Sequence, residues 1–194
     1  MNRKRLILAL RWSGVALLAL VLAVFWFREE LRDFTVDDTR FANEIQTAAR
    51  RHGLDPQLVR AVVFQESRFD PFARGRAGEV GLMQVLPSGA AAEWGRVKKR
   101  KAPDVNELYD PAVNLDIGCW YLACGMRKYA TYEKAAELAL SRYNAGESRS
   151  EKWKPEQKNG DVIGRITIAS TKTYVAKIME RYQEYKRYER SRMR

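Results

Sequence analysis

Residues 54–67 read LDPQLVRAVVFQES, a helix with a carboxylate near its far end. Asp55 followed by Pro56 is a cap and a first-turn proline, where the missing N–H costs nothing. Leu58, Val59, Val62 and Val63 recur at helical spacing and form an apolar stripe. Glu66 lies three and four residues beyond Val63 and Val62, on that same face. A carboxyl group held there is partly withdrawn from water. Its charged form is then disfavoured and its pKa rises, as a general acid at neutral pH requires. Periodicity leaves a second reading open, in which Glu66 pairs with Arg60 or Arg68 at the helix end.

Outward from this helix the pattern stays helical, with no alternating strand runs. Phe41 to Arg51 is a first helix, stopped at Gly53. Residues 70–80, with Pro71, Gly75 and Gly78, form a loop. A short helix spans Pro87 to Trp94, and a basic, polar loop follows from Gly95 to Leu108. Asp110-Pro111 starts a long helix to about Tyr129. Thr131 is expected to cap a helix over Tyr132–Ala145, ended by Gly146. The polar stretch 147–168 reads as a mobile loop. Ser170 is expected to cap the last helix, which carries Val175, Ile178, Met179, Tyr182 and Tyr185 on one face. Tyr182, Tyr185 and Tyr188 are expected to pack on the domain. The fold class is all-α.

The N-terminus differs in kind. Leu6 to Phe27 is almost wholly apolar, broken by Arg11, and no charge occurs from Trp12 to Phe27. With Arg11 snorkelling toward the interface, the length suits an N-terminal transmembrane helix. Arg3, Lys4 and Arg5 precede it, so the positive-inside rule keeps the N-terminus cytoplasmic and sends the rest across the inner membrane. The alternative is a cleaved signal peptide, although no small-x-small cleavage site follows Val24-Phe25-Trp26-Phe27. The expected organisation is an anchor over 1–28, a linker over 29–39 and one globular domain over 40–194.

The 194 residues carry a formal net charge of +11. A basic surface favours anionic partners. No zinc-finger spacing or RNA-binding signature accompanies the charge, so nucleic acid is not expected. Cys119 and Cys124 are five apart in a helix, about 140° around its axis, which is poor geometry for a disulfide. The lone histidine, His52, stands beside Gly53 and reads as a capping or surface residue. No metal-ligand cluster is present, and no cofactor is expected.

Several short motifs follow Glu66-Ser67 in order: Gly81-Leu82-Met83-Gln84 with Pro87, Asp110-Pro111 with Asn114, Tyr143-Asn144-Ala145-Gly146, and Tyr174-Val175. Together, from about Phe41 to Met179, they resemble the lytic transglycosylase domain of the soluble-transglycosylase (SLT) type, a lysozyme-like helical fold. The resemblance implies a peptidoglycan substrate, cleaved between N-acetylmuramic acid and N-acetylglucosamine without water, leaving a 1,6-anhydro ring. It implies Glu66 as the catalytic residue, first acid and then base, in place of the two carboxylates of ordinary glycosidases. It implies that Met83 and Gln84 line the sugar groove, and that Tyr143 and Tyr174 sit near Glu66. Asn144 would bond an N-acetyl group or hold its loop, and Ser67 would bind substrate or serve structure. Asn114 reads as packing support. Asp70 and Glu79 are the other carboxylates nearby, and both are expected to face solvent. Where the family carries a glutamate shortly before Tyr174-Val175, this chain has Ser170. Two other functions stay open: a non-catalytic cell-wall-binding module anchoring a membrane complex, and a lysozyme-like hydrolase.

Overall fold

The structure is a computed structural model. It describes residues 35–192, together with Leu17, Leu20, Val21, Ala23 and Val24. Most of the expected membrane anchor therefore lies outside the described residues. Among those described, no helix is long and apolar enough to cross a membrane. The residues from Asp38 onward form one compact unit.

Seven α-helices build the described part of that unit: α1 (Ala42–His52), α2 (Pro56–Ser67), α3 (Ala92–Lys98), α4 (Pro111–Lys128), α5 (Ala135–Ala145), α6 (Glu147–Lys152) and α7 (Ala169–Arg192). A π-helical turn, Pro87–Ala91, leads into α3, and 3-10 turns fall at Glu107–Tyr109 and Ile163–Arg165. The only extended pairing among the described residues is two isolated antiparallel bridges, Arg74 with Val80 and Val80 with Val85.

Helix α2 starts as its sequence dictates. The Asp55 carboxylate accepts the Gln57 N–H at 2.9 Å, and Pro56 occupies the first turn. Leu58, Val59, Ala61, Val62, Val63 and Phe64 are all buried, so the apolar stripe widens to cover most of the helix. Helix α7 packs along it, with Val175 and Ile178 buried in the contact. Tyr182 and Lys186 of α7 both bond Asp55 Oδ2, at 2.8 and 2.9 Å, and fasten the two helices at the start of α2. His52 crosses to α4 instead of capping α1: its Nε2 lies 2.8 Å from Asp116 Oδ1. Hydrogen bonds from His52 and Arg51 outweigh the effect of burial and hold the Asp116 carboxyl below its ordinary range.

Five expectations are corrected. Helix α3 runs through Gly95 to Lys98, because one glycine inside a helix costs only about 1 kcal/mol relative to alanine. Helix α5 starts at Ala135 with no side-chain cap, and Thr131 lies in the preceding turn. The stretch 147–168 is not a mobile loop. It holds α6 and a 3-10 turn, and Trp153, Val162 and Ile166 bury themselves in the core at intervals too irregular to read as a period. Ser170 sits exposed inside the first turn of α7, which begins one residue earlier. Tyr188 also departs from expectation, being 58% exposed. Cys119 and Cys124 are free thiols.

The bend Val80–Gln84 depends on Asn114 of α4, which is fully buried. Its Oδ1 accepts the Met83 N–H, and its Nδ2 donates to the Val80 and Leu108 carbonyls, all at 2.8 Å. Gly81 lets this amide approach: its φ is 76°, and a Cβ there would stand 2.3 Å from Asn114 Nδ2. Asn114→Ala strands one buried N–H and two carbonyls. It is expected to lower the unfolding free energy by about 2–4 kcal/mol in urea titrations of the full chain, whereas a loss below ~1 kcal/mol would mean the amide is not holding the bend.

Candidate active site

Glu66 occupies the last turn of α2, two residues after the buried run that ends in Phe64. The chain then turns sharply, with Arg68 and Phe69 both at positive φ. Two features of this position disfavour a charged carboxylate. The group is withdrawn from water, and a helix C-terminus carries partial negative charge. One hydrogen bond works the other way: the Tyr174 hydroxyl, from α7, donates to Glu66 Oε1 at 2.6 Å. Burial prevails, with a further push from the neighbouring Glu79 charge, and lifts the Glu66 pKa to about 7. The ion-pair reading does not hold for Arg60, which bonds Asp38 at 2.8 Å and covers the Tyr185 ring at 4.1 Å.

Facing Glu66 is the Val80–Gln84 bend. Besides Asn114, two side chains clamp it. Ser67 Oγ reaches the Leu82 carbonyl at 2.9 Å, and the Tyr143 hydroxyl donates to the Met83 carbonyl at 2.7 Å. Tyr143 is itself braced. Its ring meets Tyr121 edge-on at 5.5 Å, and the Arg142 guanidinium lies 4.4 Å over Tyr121 while bonding Glu147 of α6 at 3.0 Å. The Gln84 amide donates to the Ala73 and Gly81 carbonyls at 3.1 and 3.0 Å, which leaves its Oε1 as an acceptor. Asn144 Oδ1 accepts from Thr171 Oγ1 at 2.7 Å, leaving its amide hydrogens available.

These elements enclose a cleft of about 240 Å³ lined by Glu66, Gly75, Arg76, Glu79, Gln84, Tyr143 and Asn144. Four residues singled out from the sequence thus meet at one surface: Glu66, Gln84, Tyr143 and Asn144. Three others stand behind it. Tyr174 is buried and supports Glu66 from within the core. Ser67 holds the bend. Met83 has no exposed surface, so it cannot line a sugar groove by apolar contact. Its sulfur instead packs 3.9 Å from Cys119 Sγ.

Glu79 and Arg76 are what the sequence reading missed. The two bridges fold the 74–85 segment back on itself, and this puts Glu79 in the cleft wall instead of in solvent. Asp70 does stay outside, accepting the Phe72 N–H in an exposed turn. A larger cavity of about 530 Å³, lined by residues such as Arg51, Trp94 and Asp116, does not include Glu66. The smaller cleft is the better candidate because it holds the carboxyl group poised near neutrality.

Comparison with known proteins points the same way. The profile of the Transglycosylase SLT domain family matches residues 43–163. Among curated relatives, the membrane-bound lytic murein transglycosylase E of Buchnera aphidicola is 38% identical over 86 residues, covering 44% of this chain and 39% of the relative. The membrane-bound lytic murein transglycosylase C of Haemophilus influenzae is 37% identical over 107 residues, covering 53% and 30%. The matched regions thus span only a third or so of those relatives. In solved structures, the Pseudomonas aeruginosa lytic transglycosylase Slt, an inactive mutant with glutamine in place of a glutamate, superposes with a TM-score of 0.69 and 25% identity over 95% of this chain and 29% of its own. The 70 kDa soluble lytic transglycosylase of Escherichia coli gives 0.67 and 23% over 77% and 24%, a likeness of fold.

A carboxyl whose folded pKa is raised stabilises the fold fully below its unfolded value near 4.5 and loses that contribution as pH rises through 7. Glu66→Gln removes the loss. Its stability relative to the natural chain is expected to grow by about 3 kcal/mol between pH 4 and pH 8, read from unfolding curves at each pH. A difference that stays constant across this range would mean that Glu66 titrates as an ordinary carboxylate.

Proposed function

The chain belongs to the transglycosylase SLT domain family, and from this premise we propose that it is a peptidoglycan lytic transglycosylase, with Glu66 as acid and then base. The observation that carries the reading is the Glu66 carboxyl: half-buried, bonded by one phenol, and poised near pH 7 in the lining of a polar cleft. A group with that pKa is protonated often enough to donate and basic enough, once ionised, to take a proton back.

The protonated carboxyl gives its proton to the oxygen joining N-acetylmuramic acid to N-acetylglucosamine. The C1–O bond breaks and its electron pair stays on that oxygen. The muramyl 6-hydroxyl then attacks C1, and the Glu66 carboxylate takes the hydroxyl proton, closing the 1,6-anhydro ring. Tyr174 donates more strongly to the carboxylate than to the acid, so it steadies the ionised intermediate state. The free acceptor of Gln84 and the free amide hydrogens of Asn144 suit the hydroxyl and N-acetyl groups of the sugars. The mutant solved for the Pseudomonas relative, inactive with glutamine for glutamate, supports giving one glutamate this weight.

We also propose that residues 1–28 anchor the chain in the inner membrane, with 29–39 as linker and 40–194 as the catalytic domain outside it. Leu17, Leu20, Val21 and Val24 are helical and between 52% and 63% exposed, and their spacing puts them on one apolar face. The curated relatives are named membrane-bound.

Two measurements test the catalytic reading. Mass spectrometry of peptidoglycan treated with the detergent-solubilised full chain is expected to show fragments lighter than hydrolysis products by one water. Glu66→Gln is expected to slow their release about 10²–10⁴-fold. Fragments with reducing ends from the natural chain would instead identify a hydrolase. Tyr174→Phe removes a bond that favours the ionised form, so the alkaline limb of its kcat/KM profile is expected to move to higher pH. An unmoved limb would show that the phenol does not set Glu66's acidity.

A further inference from the structure

Glu79 is a second carboxylate in the cleft lining. It lines the same cleft as Glu66, and two carboxylates in one cleft repel. Among the described residues no ion pair neutralises it. Its carboxylate has a local hydrogen bond: Glu79 Oε2 accepts the Ala77 N–H at 3.0 Å. The loop is shaped to admit it. Gly75 leaves the space that the carboxylate fills, since a Cβ on Gly75 would stand 2.1 Å from Glu79 Oε2 and 2.9 Å from Gln84 Oε1. The backbone around it is tied down as well. Gly75 N–H donates to the Glu79 carbonyl at 2.9 Å, and Val80 pairs with both Arg74 and Val85. A flexible surface glutamate needs none of this.

We propose that Glu79 is a second working carboxylate of the cleft, whose fixed negative charge stabilises the positive charge that develops at C1 as the glycosidic bond breaks. The inference rests on the transglycosylase reading above and deepens it. Bond breaking leaves the C1–ring oxygen unit positively charged, after the electron pair has gone to the departing oxygen and that oxygen has taken the Glu66 proton. Glu79 forms no bond and takes no proton from the sugar. It lowers the energy of the charged state until the 6-hydroxyl oxygen supplies its pair to C1 and returns its proton to Glu66. A fixed charge held in place before charge develops beside it needs no reorganisation during the reaction, and is among the strongest catalytic devices available. The same charge raises the proton affinity of Glu66, so one residue helps both to keep the acid loaded and to stabilise what the acid produces.

The isosteric change Glu79→Gln separates this role from a structural one. It keeps an acceptor for the Ala77 N–H and removes only the charge. With the full chain in detergent acting on peptidoglycan, kcat is expected to fall roughly 10²-fold, with KM changed less than about twofold. The alkaline limb of the kcat profile is expected to move to lower pH, because the groups left around Glu66, which are Arg76, Tyr143 and Tyr174, do not supply the lost negative charge. Glu79→Asp, which keeps a charge, is expected to recover part of the rate. A Glu79→Gln protein with kcat within twofold of the natural chain and an unmoved limb overturns the inference alone. A natural chain that releases no anhydro fragments overturns the transglycosylase reading and this inference with it.

Discussion

The described structure is arranged around a constraint at Glu66: a carboxyl group must be kept from water yet given a partner. Helix α2 does the first by being apolar on most sides, so that its last turn emerges from the core and not from solvent. Helix α7 does the second, bringing the Tyr174 hydroxyl to within 2.6 Å from 108 positions along the chain. An ion pair would have satisfied the carboxylate too well and held it permanently ionised. A neutral phenol compensates only part of the burial, and the group stays near the point where it can exchange protons.

The opposite wall shows how a bend without secondary structure becomes rigid. Four polar backbone groups of the Val80–Gln84 segment bond side chains from elsewhere: Asn114 from α4, Ser67 from α2 and Tyr143 from α5. Three of the residues that carry the family resemblance therefore hold the wall, and the motif surrounding them does not simply list sugar contacts. Met83 is the clearest example. It belongs to the motif because its backbone is clamped at both N–H and carbonyl, while its side chain fills the core beside Cys119.

The positions of α1, α2, α4 and α7, the cap at Asp55 and the buried face below Glu66 were legible in the sequence because each is local or periodic. Gln84, Tyr143 and Asn144 could be placed at the site only through the ordered motifs, since the contacts that unite them join distant positions. Glu79 was misjudged for a physical reason: glycine-rich loops usually face solvent, and the two bridges that fold this one inward leave no periodic trace. The fold of 147–168 was hidden similarly, because Trp153, Val162 and Ile166 are too widely spaced to announce a buried segment. Ser170 removes a carboxylate that the resemblance would place before Tyr174, and Glu79 brings one to the cleft from the other wall.

The central claim is that Glu66 is a carboxyl group poised for proton exchange at neutral pH. Its most direct measurement is a carbon-13 NMR titration of the side-chain carboxyl, assigned by comparison with the Glu66→Gln spectrum. The expected midpoint lies near 7. A midpoint near the ordinary glutamate value of about 4.3 would contradict it.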